Sequence, residues 1–305
     1  MILYSKPFVE KIEKEILKKT RVMKTPPVLG IVLVGNNPAS LSYIKRKELA
    51  AKKLGCEAKL FHFAATREHR ERSHDSAKAS LDCCLLANRF ALGQTGSSRR
   101  MTASAEETEI IALIKKLNAD KKISGVIVQL PLPAKFNTDK IISTIKKSKD
   151  VDNLRGDSPF ISPAVQAIWT LLNTENKPSK KANILIVGYG QTIGQPIHSH
   201  LVKKGFDNII IADRNTKNLS RLTEKADVII SGAGKANLIK KVKKGAIVID
   251  AGASLRKSKI TGDVDIKSTE KTAAFVTPVP GGVGPLTVAY LFRNLALVKR
   301  KTRLF

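Results

Sequence analysis

The chain has 305 residues, 42% of them hydrophobic, so it is long enough for two domains with cores of their own and too apolar to be a disordered segment. Its net charge of +28 raises nucleic-acid binding, but the lysines are spread through every segment and aromatics are only 5%, so no stacking platform is interleaved with the basic residues. The charge therefore predicts no specific nucleic-acid partner, only an attraction for anionic ligands such as dinucleotide phosphates or a glutamate tail. Met1-Ile2-Leu3-Tyr4-Ser5-Lys6-Pro7 has no apolar leader core, no run approaches the ~20 residues of a bilayer span, and Cys56, Cys83 and Cys84 show no metal-ligand spacing and an odd count. A cytoplasmic protein without membrane segment or metal is expected.

Val28–Val34 reads as the first buried strand. Pro38-Ala39-Ser40-Leu41-Ser42-Tyr43-Ile44-Lys45-Arg46-Lys47 then opens a helix that Gly55 can end. Tyr43 and Lys47, four apart, share a helix face, with Ser40 a turn earlier. By spacing alone a lysine in a chain of 39 lysines reads as solvent-facing. In a cleft, the same lysine would lose solvation, drop its pKa and exchange protons.

The 66–101 segment breaks the rhythm. It holds six of the fifteen arginines and one of the 39 lysines, lacks a sustained period, and reads as an inserted surface excursion. A strand follows over 125–130, ending abruptly in Gln129-Leu130-Pro131-Leu132-Pro133. A glutamine at the carboxyl end of a strand stands where α/β ligands bind, and its amide both donates and accepts. In Lys149-Asp150-Val151-Asp152, one carboxylate is suited to two N–H groups of an aminopyrimidine edge.

Gly156 and two prolines interrupt the pattern over 153–163, marking the domain break. Beyond it, strands over 183–187, 208–212, 227–231 and 246–250 alternate with helical stretches. This predicts an α/β protein of two domains with parallel βαβ-type sheets, the second a Rossmann-like dinucleotide-binding domain. Gly188-Tyr189-Gly190-Gln191-Thr192-Ile193-Gly194 joins a buried strand to a helix, as a pyrophosphate turn does, with one residue more than the usual fingerprint. Asp213 ends the next strand, where a carboxylate accepts the ribose diol and repels a 2′-phosphate; the adjacent Arg214 would grip that phosphate. Thr277-Pro278-Val279-Pro280-Gly281-Gly282-Val283-Gly284-Pro285-Leu286-Thr287 permits close backbone approach, and its Pro285 suits the first turn of a last helix over 286–297.

Taken in order, Val34-Gly35, Pro38-Ala39-Ser40, Tyr43, Lys47, Val128-Gln129-Leu130-Pro131-Leu132-Pro133, Lys149-Asp150-Val151-Asp152, Gly262-Asp263-Val264-Asp265 and Pro278-Val279-Pro280-Gly281-Gly282-Val283-Gly284-Pro285 resemble the bifunctional methylenetetrahydrofolate dehydrogenase/methenyltetrahydrofolate cyclohydrolase family. The resemblance implies a folate-binding catalytic domain over 1–158, a NAD(P)-binding domain over 159–284 and a C-terminal helix over 285–305 returning to the first. It implies oxidation of 5,10-methylenetetrahydrofolate with NADP, or with NAD, and hydrolysis of the methenyl product to 10-formyltetrahydrofolate, in a homodimer. Lys47 would transfer the proton, Gln129 tune it, Tyr43 orient the folate and Asp152 bind the pterin. Ser40, Pro280 and Gly284 would touch substrate, while Gly188, Tyr189, Gly190, Gly194, Asp213 and Arg214 would hold the dinucleotide. The chain departs from the family at Tyr189-Gly190, where Arg-Ser is usual, at Asn153, where glycine is usual, and at Ser162, where threonine precedes the proline. A dehydrogenase whose second step is weak or lost and an inactivated or non-catalytic basic binding protein are the alternatives. The set Tyr43, Lys47, Gln129 and Asp152 speaks against the latter, because a binding module does not need it.

Overall fold

The computed structural model describes residues 1–63, 103–174, 177–256 and 259–301. The segment read as an insertion, 66–101, lies outside the described residues. In the first part α1 (Lys6–Thr20), β1 (Val28–Val34), α2 (Pro38–Lys53), β2 (Glu57–Phe63), α3 (Ala103–Ala119), β3 (Gly125–Val128) and α4 (Thr138–Ser143) follow one another. The described strands form a parallel sheet in the order β2-β1-β3. Every residue of β1 is buried, as a central strand covered on both faces requires.

The second part contains α5 (Pro163–Leu172), β4 (Ile184–Val187), α6 (Gly194–Lys203), β5 (Ile209–Ala212), α7 (Leu219–Thr223), β6 (Val228–Ser231) and β7 (Ile247–Asp250). The antiparallel hairpin of β8 (Ser254–Arg256) and β9 (Lys259–Thr261) comes next, then α8 (Ile266–Thr269), β10 (Phe275–Val276) and α9 (Val283–Lys301). Five strands form a parallel sheet in the order β10-β7-β6-β4-β5. Apolar clusters lie on both of its faces, which makes it doubly wound. One cluster runs on from this sheet through α5 and α9 to β1 and α1, so the two sheets share a continuous core.

Local chemistry sets the elements that carry the site. Asn37 caps α2 by accepting from the amides of Ala39 (2.9 Å) and Ser40 (3.2 Å), with Pro38 in the first turn. A cap of this kind contributes about 1 kcal/mol. Gly55 stops the helix in the left-handed region at φ +65°, and Thr20 donates to the Leu54 carbonyl at 2.9 Å. α9 buries Leu286, Ala289, Phe292, Leu295 and Ala296, spaced at one helical face, against α1 and α5. It begins at Val283, earlier than 286, because Pro285 is accommodated within the first turn. β3 stops at Val128, short of the expected 130, although the Gln129 amide still donates to the Val32 carbonyl at 2.8 Å.

The N-terminal residues, read only for what they lacked, extend the second sheet. The Leu3 amide donates to the Val276 carbonyl and the Val276 amide to that of Met1, both at 2.9 Å. The Ser5 amide and hydroxyl both donate to the Gly281 carbonyl at 3.0 Å, anchoring the proline-glycine loop.

Candidate functional site

The carboxyl end of β3 meets the face of α2. There the Lys47 Nζ donates to the Gln129 Oε1 at 2.9 Å, while the Gln129 Nε2 donates to the Leu130 carbonyl at 2.8 Å and so turns the amide oxygen toward the lysine. Burial pushes Lys47 below the ordinary lysine range, with Asp152 opposing the shift. Burial also pushes the Asp152 carboxyl up, with Lys47 opposing it. Both shifts run toward the uncharged form, and a lysine whose pKa is lowered by burial exchanges its proton more readily than a solvated one.

Asp152 is presented by a turn whose builders the sequence reading missed. The carboxylate of Asp150, fully buried, accepts from the amides of Leu154 and Arg155, each at 3.0 Å; burial foremost pushes it up to about 6. Asn153 has φ +54°, the left-handed conformation that glycine adopts freely and asparagine tolerates, which accounts for the departure from the usual glycine. Its Oδ1 accepts from the Ser158 amide at 3.1 Å. From α9, the Nδ2 of buried Asn294 donates to the carbonyls of Val151 (2.9 Å) and Ile161 (3.1 Å), tying the C-terminal helix to the same turn. The two carboxylates of Lys149-Asp150-Val151-Asp152 were the available signal, and only three-dimensional placement separates the one that builds the turn from the one that faces Lys47.

Tyr43 lines a different space. A cavity of about 470 Å³ between α1, α2 and α9 is bounded by Tyr43, Arg46, Pro280, Gly281 and Gly284, among others. Burial raises the Tyr43 hydroxyl, and Arg46, whose guanidinium lies 5.8 Å from the ring centre, partly offsets it. Gly284 is exposed with nothing within 4 Å of a Cβ. Ser40 belongs to neither group; it is buried in the first turn of α2 with its amide on the Asn37 cap. The structure thus joins Lys47, Gln129 and Asp152 in one cluster and Tyr43, Pro280 and Gly284 around one cavity.

The glycine turn follows β4. Gly188 has φ +89°, and a Cβ there would lie 2.8 Å from Ala233 Cα; a Cβ on Gly194 would overlap the Gly188 carbonyl oxygen. A Cβ on Gly190 would meet nothing within 4 Å, so that glycine borders open space. Sterics thus demand Gly188 and Gly194, and Gly190 leaves the room a dinucleotide needs beside the first turn of α6. The Tyr189 hydroxyl is 2.9 Å from His198 Nδ1, the two rings edge to face. The Asp213 Oδ1 accepts from the Asn215 amide (2.9 Å) and the Thr216 hydroxyl (3.1 Å), which hold its carboxyl below the usual range. Arg214 is exposed beside it. The Gln191 Nε2 donates to the Asp139 Oδ1 of α4 at 3.1 Å, linking the turn to the first part of the chain.

Among the described residues, no group of three or more His, Cys, Asp or Glu is placed to hold a metal ion, and no helix is long and apolar enough to cross a membrane.

A three-stranded parallel sheet packed on a doubly wound sheet with a glycine turn defines a two-domain α/β protein of the dinucleotide-binding class. The profile for the tetrahydrofolate dehydrogenase/cyclohydrolase catalytic domain matches residues 3–78 and 89–152, and that for the NAD(P)-binding domain of the same enzymes matches 162–303. The chain belongs to the tetrahydrofolate dehydrogenase/cyclohydrolase family. It is 32% identical to the bifunctional protein FolD of Lactobacillus helveticus over 94% of this chain and 92% of that one. To the FolD of Sulfurihydrogenibium it is 33% identical, over 99% and 98%. The crystal structure of the FolD methylenetetrahydrofolate dehydrogenase/cyclohydrolase of Campylobacter jejuni superposes with a TM-score of 0.79 at 30% identity, covering 99% of both chains.

Proposed function

We propose that this protein oxidises 5,10-methylenetetrahydrofolate to the methenyl compound with NADP and hydrolyses that product to 10-formyltetrahydrofolate. The observation that carries it is the Lys47–Gln129 hydrogen bond of 2.9 Å beside Asp152, in a cluster that burial drives toward neutrality. The bound dinucleotide supplies the acceptor for the hydride that leaves the methylene carbon. Asp152 takes two N–H groups of the pterin edge, and Tyr43, with Pro280 and Gly284 across the cavity, packs the aromatic arm of the folate. Neutral Lys47 removes a proton from the water that attacks the methenyl carbon. It returns that proton to the folate nitrogen as the ring carbon–nitrogen bond breaks. The hydroxyl of the adduct gives up its remaining proton to solvent as its oxygen becomes the formyl carbonyl on the other nitrogen, so the methenyl cation and water yield the formyl compound and one proton. Gln129 holds the Nζ in line through both transfers, and Ser40 steadies the start of α2 beneath the substrate. The catalytic unit comprises 1–158 and the dinucleotide unit 159–284, with 285–305 returning to the first. Turnover of methylenetetrahydrofolate followed at both product stages, in the parent and in Lys47→Met, tests this function.

Gly188, Tyr189, Gly190 and Gly194 cradle the dinucleotide, and Arg214 selects its phosphorylated form. The carboxylate of Asp213 is already engaged by its own turn, and Arg214 is exposed two residues past the strand. One charge-assisted contact corresponds to a preference of roughly tenfold or more. The parent should therefore favour NADP over NAD in kcat/KM by about that factor, and Arg214→Ala should erase the preference. A parent that prefers NAD, or a ratio indifferent to Arg214, assigns selection to Asp213.

The protein works in the cytoplasm as a homodimer. The buried thiol of Cys56, which donates to the Leu54 carbonyl at 3.7 Å, suits a reducing compartment. For the dimer, β5 ends the second sheet and exposes Ile210 (49%) and Ile211 (37%), an apolar edge that a second copy would cover.

A further inference from the structure

Asp263, in the loop between β9 and α8, is fully buried, and all four of its hydrogen-bond donors are uncharged. Its Oδ2 accepts from the Ser231 hydroxyl (2.6 Å) and the amides of Ala233 (2.7 Å) and Gly234 (3.2 Å), and its Oδ1 accepts from the Lys235 amide at 2.7 Å. Three consecutive amides converging on one point form a nest of the kind that takes an external anion. Here the chain's own carboxylate fills it. A Cβ on Gly252 would overlap that carboxylate, so the carboxylate packs directly on the Gly252 backbone. Asp250 fixes the other flank by accepting from the amides of Gly252 and Val264, both at 2.9 Å.

The loop held in this way is exposed at Ala233, Gly234 and Lys235, yet its inner side is packed without slack. Ala233 N and Cα stand 2.8 Å from where a Cβ of Gly188 would be, and a Cβ on Gly232 would come 2.8 Å from Ile193, the residue that precedes α6. The loop leaves β6 and the glycine turn leaves β4, neighbouring parallel strands, so the two meet backbone to backbone in the crevice at the carboxyl ends. A shift of the loop is therefore a shift of the glycine turn.

We infer that Asp263 is a positioning residue for the dinucleotide: its carboxylate holds the 231–235 loop as the wall that seats the 188–194 turn. The inference rests on the dehydrogenase reading for its kinetic consequence, and on geometry for its effect on binding. Asp263→Asn turns an amide NH₂ against the amide donors and breaks the nest. The dinucleotide KM, and the Kd for NADP measured by calorimetry, should rise about tenfold or more. The kcat at saturating dinucleotide should stay within about threefold, and hydrolysis of methenyl-folate, which uses no dinucleotide, within about twofold. Ser231→Ala removes one donor of four and should raise the same KM and Kd by roughly threefold. Should Asp263→Asn fail to fold, Ser231→Ala carries the test alone. A dinucleotide Kd unchanged in the folded variants overturns the inference, as does a loss of hydride transfer and hydrolysis in equal proportion. Because calorimetry reads binding without turnover, a parent that transfers no hydride counts against the proposed function and not against this assignment.

Discussion

Lys47 is one of 39 lysines, and what distinguishes it is its surroundings. Burial lowers its pKa, and the nearby Asp152 raises it. On the proposed mechanism, hydrolysis at saturating folate climbs with pH as Lys47 loses its proton, along a limb below the ordinary lysine range. Asp152→Asn deletes the anion that favours the ammonium form, so the limb should move to still lower pH. Folate affinity should weaken at the same time by about 1.5–3 kcal/mol, the worth of a charge-assisted contact. A pH–rate profile gives the first effect and a folate titration the second; a limb that stays put or moves up would separate Asp152 from Lys47. Sequence order told the reader that Lys47, Gln129 and Asp152 belong to one family pattern. It could not tell that Asp150 builds the turn, because two carboxylates in alternation look alike until one is buried and bonded to the amides of Leu154 and Arg155.

At the scale of the elements, β1, α2 and the β4–α6 turn were legible because each has a local cause: a continuous apolar run, a proline start with a glycine stop, and glycines at forced positions. β2 was not assigned from the sequence, since Glu57, Lys59 and His62 interrupt what would otherwise be a continuous apolar run, and the strand is only partly buried. Asn153 was seen only as a departure until its positive φ gave the reason. The junction of β7 with the β9–α8 loop was equally invisible, because it depends on acids 13 positions apart meeting in the interior. There burial pushes Asp250 up to about 7. An unfolded aspartate titrates near 3.9, so between about 4 and 7 the native state binds more protons than the unfolded chain. Stability from this group is fully present below that window and is lost as pH rises through about 7. Asp150, pushed up to about 6, adds a fall of the same sign over a narrower range. Urea unfolding across the window should show stability decreasing with pH, and Asp250→Asn should make that decrease shallower. An unaltered slope would mean that Asp250 is ionised in the folded protein.

For the whole molecule, the continuous core from β1 through α9 to β4 sets the Lys47–Gln129–Asp152 cluster and the glycine turn at the carboxyl ends of two packed sheets. The outer edge of the second sheet bears on assembly. Ile210→Glu should convert the proposed homodimer into a monomer in light scattering without loss of fold, and a dimer that survives would direct attention away from β5. The anchoring of residues 1–5 on Val276 and Gly281 was not readable in advance, since it joins distant parts of the chain. The central claim is that one chain carries out hydride transfer and hydrolysis with separable residues. Its most direct test supplies methylenetetrahydrofolate and NADP and follows reduced dinucleotide and methenyl-folate together, in the parent and in Lys47→Met. The parent should form reduced dinucleotide while methenyl-folate passes on to the formyl product. The variant should form methenyl-folate that accumulates. Methenyl-folate consumed by the variant within a few-fold of the parental rate would contradict the account.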